Sequence, residues 1–201
     1  MNYGELKLLV ADYLHRTDLT AQIPTFIELA RQRINRDFRV RENITSGTLT
    51  PASNPFDVPE GFLEMRDIYY YRGAQRITLS LVGRKQLNSY ALNSGAGPAV
   101  YSVDGTQIET APGGECVEFN LLYYDAVPEF PFESSTNELL QTYPMSWLYG
   151  ALFEGHSYAQ DIDLAAQVLQ LYSSEVTAAN SRAAESESGA SLQMAGASSW
   201  D

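Results

Sequence analysis

The longest periodic apolar pattern in the chain runs from Pro144 to Ala179 and falls into two pieces. Leu148, Ala151, Leu152, Gly155 and Ala159 recur at three- and four-residue steps, which is one face of a 3.6-residue period. Pro144 suits a first helical turn, where its fixed φ and missing N–H cost nothing. Asp161 and Asp163 then break the pattern and offer side-chain oxygens to the free N–H groups of a new helix. That second helix carries Leu164, Val168, Leu169, Tyr172 and Val176 on one side and is expected to end at Asn180. Two more helices are predicted near the start of the chain. Gly4 to His15 sets Leu6, Leu9, Val10, Tyr13 and Leu14 against Glu5, Lys7 and Asp12. After a polar connection at Thr17, Asp18 and Thr20, a helix beginning near Pro24 turns Ile27, Ala30, Ile34 and Phe38 inward.

Past Glu42 the period changes. β-Branched and aromatic residues divided by Gly, Pro, Asn and Asp clusters predict short antiparallel strands over 45–50, 65–71, 76–79, 100–103, 107–110 and 117–124. Arg72-Gly73-Ala74-Gln75 and Asp104-Gly105 are hairpin turns, and Gly113-Gly114 is expected to make a third. One or two helical turns are expected over 83–91, and another at 137–140 within a proline-bearing loop. The expected fold class is α+β: a helical bundle framework (residues 1–43 and 131–180), an inserted antiparallel β module (44–130) and a flexible C-terminal tail (181–201). The tail is Ser-, Ala- and Gly-rich and offers too little apolar surface to offset its ordering entropy.

With 201 residues, 44% of them hydrophobic, the chain is long enough to bury a real core. No apolar run approaches the about 20 residues of a bilayer span, and the first residues lack a signal peptide's succession, so a soluble protein of cytoplasmic birth with no membrane partner is expected. A single cysteine, Cys116, excludes an intrachain disulfide and a multi-cysteine zinc site. The net charge of −12 is uneven: residues 1–85 hold 12 of the 13 Lys and Arg against 10 acids, a balance of +2, and the remainder balances at −14. General nucleic-acid binding by the acidic part is thereby disfavoured, while the basic part of one copy is allowed to face the acidic part of another.

The second helix also carries Arg31, Arg33, Arg36, Arg39 and Arg41. Their planar forks bind carboxylate or phosphate in bidentate fashion, which makes them candidates for a partner surface, with a plain solvated face paired to Asp37 and Glu42 as the simpler alternative. Enzyme chemistry finds little support. His15 and His156 have no metal-ligand spacing to a second ligand, Cys116 is flanked by Glu115 and Glu118, which oppose a thiolate, and no nucleophile elbow, phosphate loop or dinucleotide fingerprint is present. An acidic pair for hydrolysis remains a third reading. Tyr69-Tyr70-Tyr71 and Tyr123-Tyr124 place rings on both faces of their strands, which keeps a carbohydrate- or receptor-binding β module as the runner-up.

Three stretches in order carry a family resemblance: YGELKLLVADYLHRTDLTAQIPTFIELARQRINRDFRVR at the start, PAVYSVDGTQIETAPGG with EFNLLYYDAVP in the centre, and SSTNELLQTYPMSWLYGALFEGHSYAQDIDLAAQVLQLYSSEV. The chain resembles the head-to-tail adaptor (connector) proteins of tailed bacteriophages. That resemblance implies a structural, non-enzymatic virion protein of the neck with no cofactor, made in the host cytoplasm. Its expected partners are the portal protein, tail or nozzle proteins and further copies in a twelve-fold ring, through which genome DNA passes without specific binding. It also implies that the C-terminal segment contacts the portal, with Leu192, Met194 and Trp200 as anchors, and a ring of this kind would place Arg31, Arg33, Arg36, Arg39 and Arg41 at subunit interfaces.

Overall fold

A computed structural model describes residues 1–91, 97–112 and 117–187. In chain order these form α1 (Tyr3–Leu14), α2 (Ile23–Asp37), β1 (Ile44–Leu49), β2 (Phe56–Asp57), β3 (Phe62–Arg72), β4 (Gln75–Thr78), β5 (Ser80–Leu81), α3 (Arg84–Ala91), β6 (Val100–Asp104), β7 (Gln107–Ala111), β8 (Phe119–Asp125), α4 (Glu138–Thr142), α5 (Pro144–Tyr158) and α6 (Ile162–Glu187). The fold is α+β. It divides into two compact units, one made of Met1–Asn43 with the chain from Val127 onward, the other of Ile44–Ala126.

In the helical unit, α1 starts in a capping box: the Glu5 N–H donates to Asn2 Oδ1 at 2.9 Å and the Asn2 N–H to Glu5 Oε2 at 3.0 Å. It stops where His15 takes a left-handed conformation (φ 50°). The expected polar connection is a 3₁₀ segment, Thr17–Gln22, and Pro24 sits in the first turn of α2 as its chemistry predicts. Asn137 caps α4 by accepting from the Leu140 N–H at 2.7 Å. The core joins Leu6, Val10 and Leu14 of α1, Ile27, Ala30 and Ile34 of α2, Trp147, Leu148, Ala151 and Leu152 of α5, and Tyr172, Ala179 and Ala183 of α6.

Helical periodicity located this core well, with three corrections. Tyr13 is half exposed (51%) although it lies on the expected apolar side of α1. Leu164 turns outward (41% exposed) because its neighbour Ala165 occupies the inward position, one residue or about 100° further round. The last helix does not end at Asn180. It runs to Glu187, because Ala179 and Ala183 extend the buried stripe by one more turn and the Asn180 side chain has partners on α2.

The second unit holds two four-stranded sheets, ordered β1-β8-β3-β4 and β2-β7-β6-β5. Ile68, Tyr70, Phe119, Leu121 and Tyr123 from the first meet Phe56, Tyr101 and Ile108 from the second in one apolar cluster. Strand alternation decides which tyrosines go in: Tyr70 is buried (1% exposed) and Tyr71 points out (57%). Both expected hairpins form, pairing Arg72 with Gln75 and Asp104 with Gln107. Gly73 and Gly105 each hold φ 61° at the first loop position while Ala74 and Thr106 stay at negative φ, the type II′ pattern that needs glycine there. Two strands escaped sequence reading, β2 and β5, each only two residues long. β5 pairs parallel to β6, so the unit is mixed and not wholly antiparallel as expected. The short helix α3 appears where it was predicted and buries Leu87 against Val100 and Ala111. The Gly113-Gly114 turn lies outside the described residues.

Candidate functional site

The five arginines proposed as a partner surface do not share one helix face. α2 ends at Asp37, Phe38 is extended (ψ 131°), and Arg41 opens a separate 3₁₀ turn, Arg41–Asn43. The physical reason lies in packing: Phe38 and Val40 are both fully buried, two residues apart, which an extended backbone accommodates and a helix would set about 200° apart.

Each arginine has partners within the helical unit. Arg31 donates to both Glu28 oxygens, from Nε at 2.8 Å and Nη2 at 2.7 Å, and from Nη1 to the Val127 carbonyl at 2.7 Å, with Glu129 3.5 Å away. The hydrogen bonds from Arg31 hold the Glu28 carboxyl below its ordinary pKa. Arg33 donates from Nη2 to Glu154 Oε1 at 2.6 Å, its guanidinium 4.4 Å from the centre of the Phe153 ring, and so ties α2 to α5. Arg39 donates to the carbonyls of Asn35 (3.0 Å) and Phe38 (2.7 Å) at the end of α2. Arg36 and Arg41 are different: their side chains are 66% and 78% exposed, and each forms an ion pair with its sequence neighbour, Asp37 and Glu42 respectively. Asp37 also accepts from the Tyr172 hydroxyl at 3.2 Å; burial, with that carboxylate beside it, pushes the Tyr172 hydroxyl far above its ordinary pKa.

Next to Arg41 an open groove of about 600 Å³ runs between the 3₁₀ turn, the start of α5 and the last turns of α6. Arg41, Glu42, Tyr143, Met145, Glu175 and Arg182 line it, a surface of mixed charge with polar and apolar groups. Arg182 is the only cation of the acidic part of the sequence, and nothing local marks it as a site residue; only the extension of α6 past Asn180 brings it beside Arg41. Leu192, Met194 and Trp200, the expected portal anchors, lie outside the described residues.

The remaining chemistry is sparse. His15 is a helix C-cap and His156 sits on α5. Among the described residues no group of three His, Cys, Asp or Glu could hold a metal ion, and no helix is long and apolar enough to cross a membrane. Cys116 lies outside the described residues. On the outer face of the first sheet Arg76 lies 3.8 Å over the Tyr69 ring and ion-pairs with Asp67, so that tyrosine's face is already covered by a side chain of the same chain.

A helical unit is interrupted in sequence by a two-sheet unit, and Arg31, Arg33 and Arg39 bind partners within the helical unit. The family model described as SU10 adaptor protein matches residues 1–195, and the chain belongs to that family of bacteriophage head-to-tail adaptors. Comparison with curated proteins gave no significant match. Membership makes the chain a structural phage adaptor and a component of the virion neck, and it implies contact with portal and tail proteins.

Proposed function

We propose that this chain is the ring-forming adaptor that joins the portal to the tail and lines the channel through which the genome passes. The observation that carries the reading is the adaptor family match over 195 of 201 residues. In this reading twelve copies form a heterologous ring, each meeting its neighbour through two different surfaces. The helices serve as a bundle framework, and the segment after α6 contacts the portal with Leu192, Met194 and Trp200 as anchors. Arg36 and Arg41, the most exposed of the five arginines by side chain, are the best placed to face a carboxylate of a neighbouring chain, while Arg31, Arg33 and Arg39 shape the surface from within. DNA passes without sequence-specific binding, and the acid surplus of the chain suits a weakly repulsive lumen.

The test is co-purification with the portal ring, followed by native mass spectrometry and electron microscopy. A ring of adaptor copies on one end of the portal is the expected result. Failure to associate with portal at micromolar concentration, with the chain folded by circular dichroism, removes the proposal.

A further inference from the structure

The β unit has four sheet edges, and the two edges of the second sheet, β2 and β5, are blunted. β2 is two residues long, follows Pro55 and carries Asp57. Beside it the Asn54 side chain satisfies the Thr110 backbone in place of a strand, accepting from its N–H at 2.9 Å and donating to its carbonyl at 2.7 Å. β5 is also two residues long. Short edges, prolines and charges are the usual means of preventing edge-to-edge association. β1 has none of them: its six residues, Ile44-Thr45-Ser46-Gly47-Thr48-Leu49, include no charge and no proline, and their pairing with β8 runs without a bulge. Among the described residues β8 is its only ladder neighbour.

We propose that β1 is an assembly edge that takes β4 of a second copy in antiparallel pairing, so that the sheet continues from one chain to the next. The reading rests on the ring proposed above for the presence of that neighbour. Three observations favour β4 as the occupant. First, directions agree: β1-β8-β3-β4 is antiparallel at every step, so a repeat in the same orientation sets β4 of the next copy antiparallel to β1 and preserves the alternation. Second, side chains agree. Leu49, opposite Phe119, and Ile77, opposite Tyr70, are both half-buried on the core face, one at each end of the same sheet, and pairing would let each cover the other. Third, charges permit it, because Arg76 on the outer face would meet Ser46 and Thr48 with no like charge opposite. A β1–β4 contact joins two different surfaces, which is the head-to-tail kind that closes into rings.

Amide hydrogen exchange on the full chain, alone and assembled with portal, tests this directly. The amides of residues 44–49 and 75–78 with no partner inside the isolated chain should exchange at least about 100-fold more slowly in the assembly, the protection a new ladder confers. Ser46→Lys and Thr48→Lys should each lower the assembled fraction by about tenfold or more while leaving the thermal midpoint of the isolated chain unchanged, as expected at exposed positions. A portal-bound ring with both strands exchanging freely overturns the edge pairing and leaves the adaptor reading standing. Protection of 44–49 without 75–78 means that another extended segment fills the edge, and also overturns it. Protection of both strands on self-association, with no binding to portal, supports the pairing and removes the adaptor reading.

Discussion

The side-chain amide of Asn180 clasps the end of α2: its Oδ1 accepts from the Arg39 N–H at 2.9 Å and its Nδ2 donates to the Asp37 carbonyl at 2.9 Å. Helix ends leave carbonyls without partners, and here a residue in the interior of α6 supplies one from 141 and 143 positions away in sequence. Asn180→Ala should therefore cost about 2 kcal/mol, two hydrogen bonds at about 1 kcal/mol each, and lower the midpoint of thermal unfolding by roughly 4–8 °C for a chain of this size. Asn180→Asp should cost at least as much, since a carboxylate cannot donate to Asp37. Thermal melts of the three proteins by circular dichroism check both.

Gly150 and Gly155 lie on the same helix and should respond differently to alanine. A Cβ at Gly150 would sit 3.0 Å from the Ala30 Cβ, an atom that no side-chain rotation can move away. A Cβ at Gly155 would meet the Leu14 methyl carbons at 2.8 and 3.1 Å, and those can shift by a rotamer adjustment. Alanine gains about 1 kcal/mol of helix propensity at either site. Gly150→Ala should still destabilise by about 1–2 kcal/mol through forced separation of α2 and α5, whereas Gly155→Ala should fall within about 1 kcal/mol of neutral. Urea unfolding midpoints separate the two outcomes.

Periodicity was enough to place α1, α2, α5 and most of α6, because each buries one stripe of apolar residues and that stripe repeats in sequence. Hairpin glycines fixed two loops for the same local reason. What sequence did not disclose depends on residues distant along the chain. Asn180 read as a stop because the composition changes abruptly after it, yet the helix continues and the Asn180 side chain is satisfied by the backbone of Asp37 and Arg39. All five arginines read as residues of the second helix, but that helix ends at Asp37, and Arg33 pairs with Glu154, 121 residues on. The basic and acidic parts of the chain, which suggested complementary faces between copies, already pair within the helical unit through Arg31–Glu129 and Arg33–Glu154. Strands of two residues such as β2 and β5 carry no period to detect.

Acid should weaken the helical unit in part through Glu28. Its carboxyl is held below the ordinary 4.5 by hydrogen bonds from Arg31, so the unfolded chain binds that proton more tightly than the folded one. The stabilisation is complete above about pH 4.5 and is lost as pH falls through the lower folded value. With the Glu28 side chain 40% exposed the contribution is modest. Glu28→Gln should lower stability at pH 7 and flatten the fall between pH 5 and pH 3; parallel acid limbs for the two proteins in chemical denaturation would exclude Glu28 as a contributor.

Charge reversal should sort the arginines into two groups. The Arg33 and Glu154 side chains are only 20% and 17% exposed, so Arg33→Glu sets two carboxylates against each other where water is scarce and should cost several kcal/mol, with loss of the folded state on mild heating. Arg33→Met keeps the length that covers Phe153 but leaves Glu154 without its cation, and should cost less than the reversal. Arg36→Glu and Arg41→Glu fall on exposed side chains and should shift the isolated chain by no more than about 1 kcal/mol. If these two arginines face carboxylates of a neighbouring copy or of the portal, the same reversals should slow assembly and weaken or invert its salt dependence, because mutating rim charges acts mainly on association rate and added salt screens the new repulsion. Association measured at two ionic strengths decides the matter. Equal rates and equal salt dependence in wild type and in both variants would take Arg36 and Arg41 out of the interface, even with a ring in place.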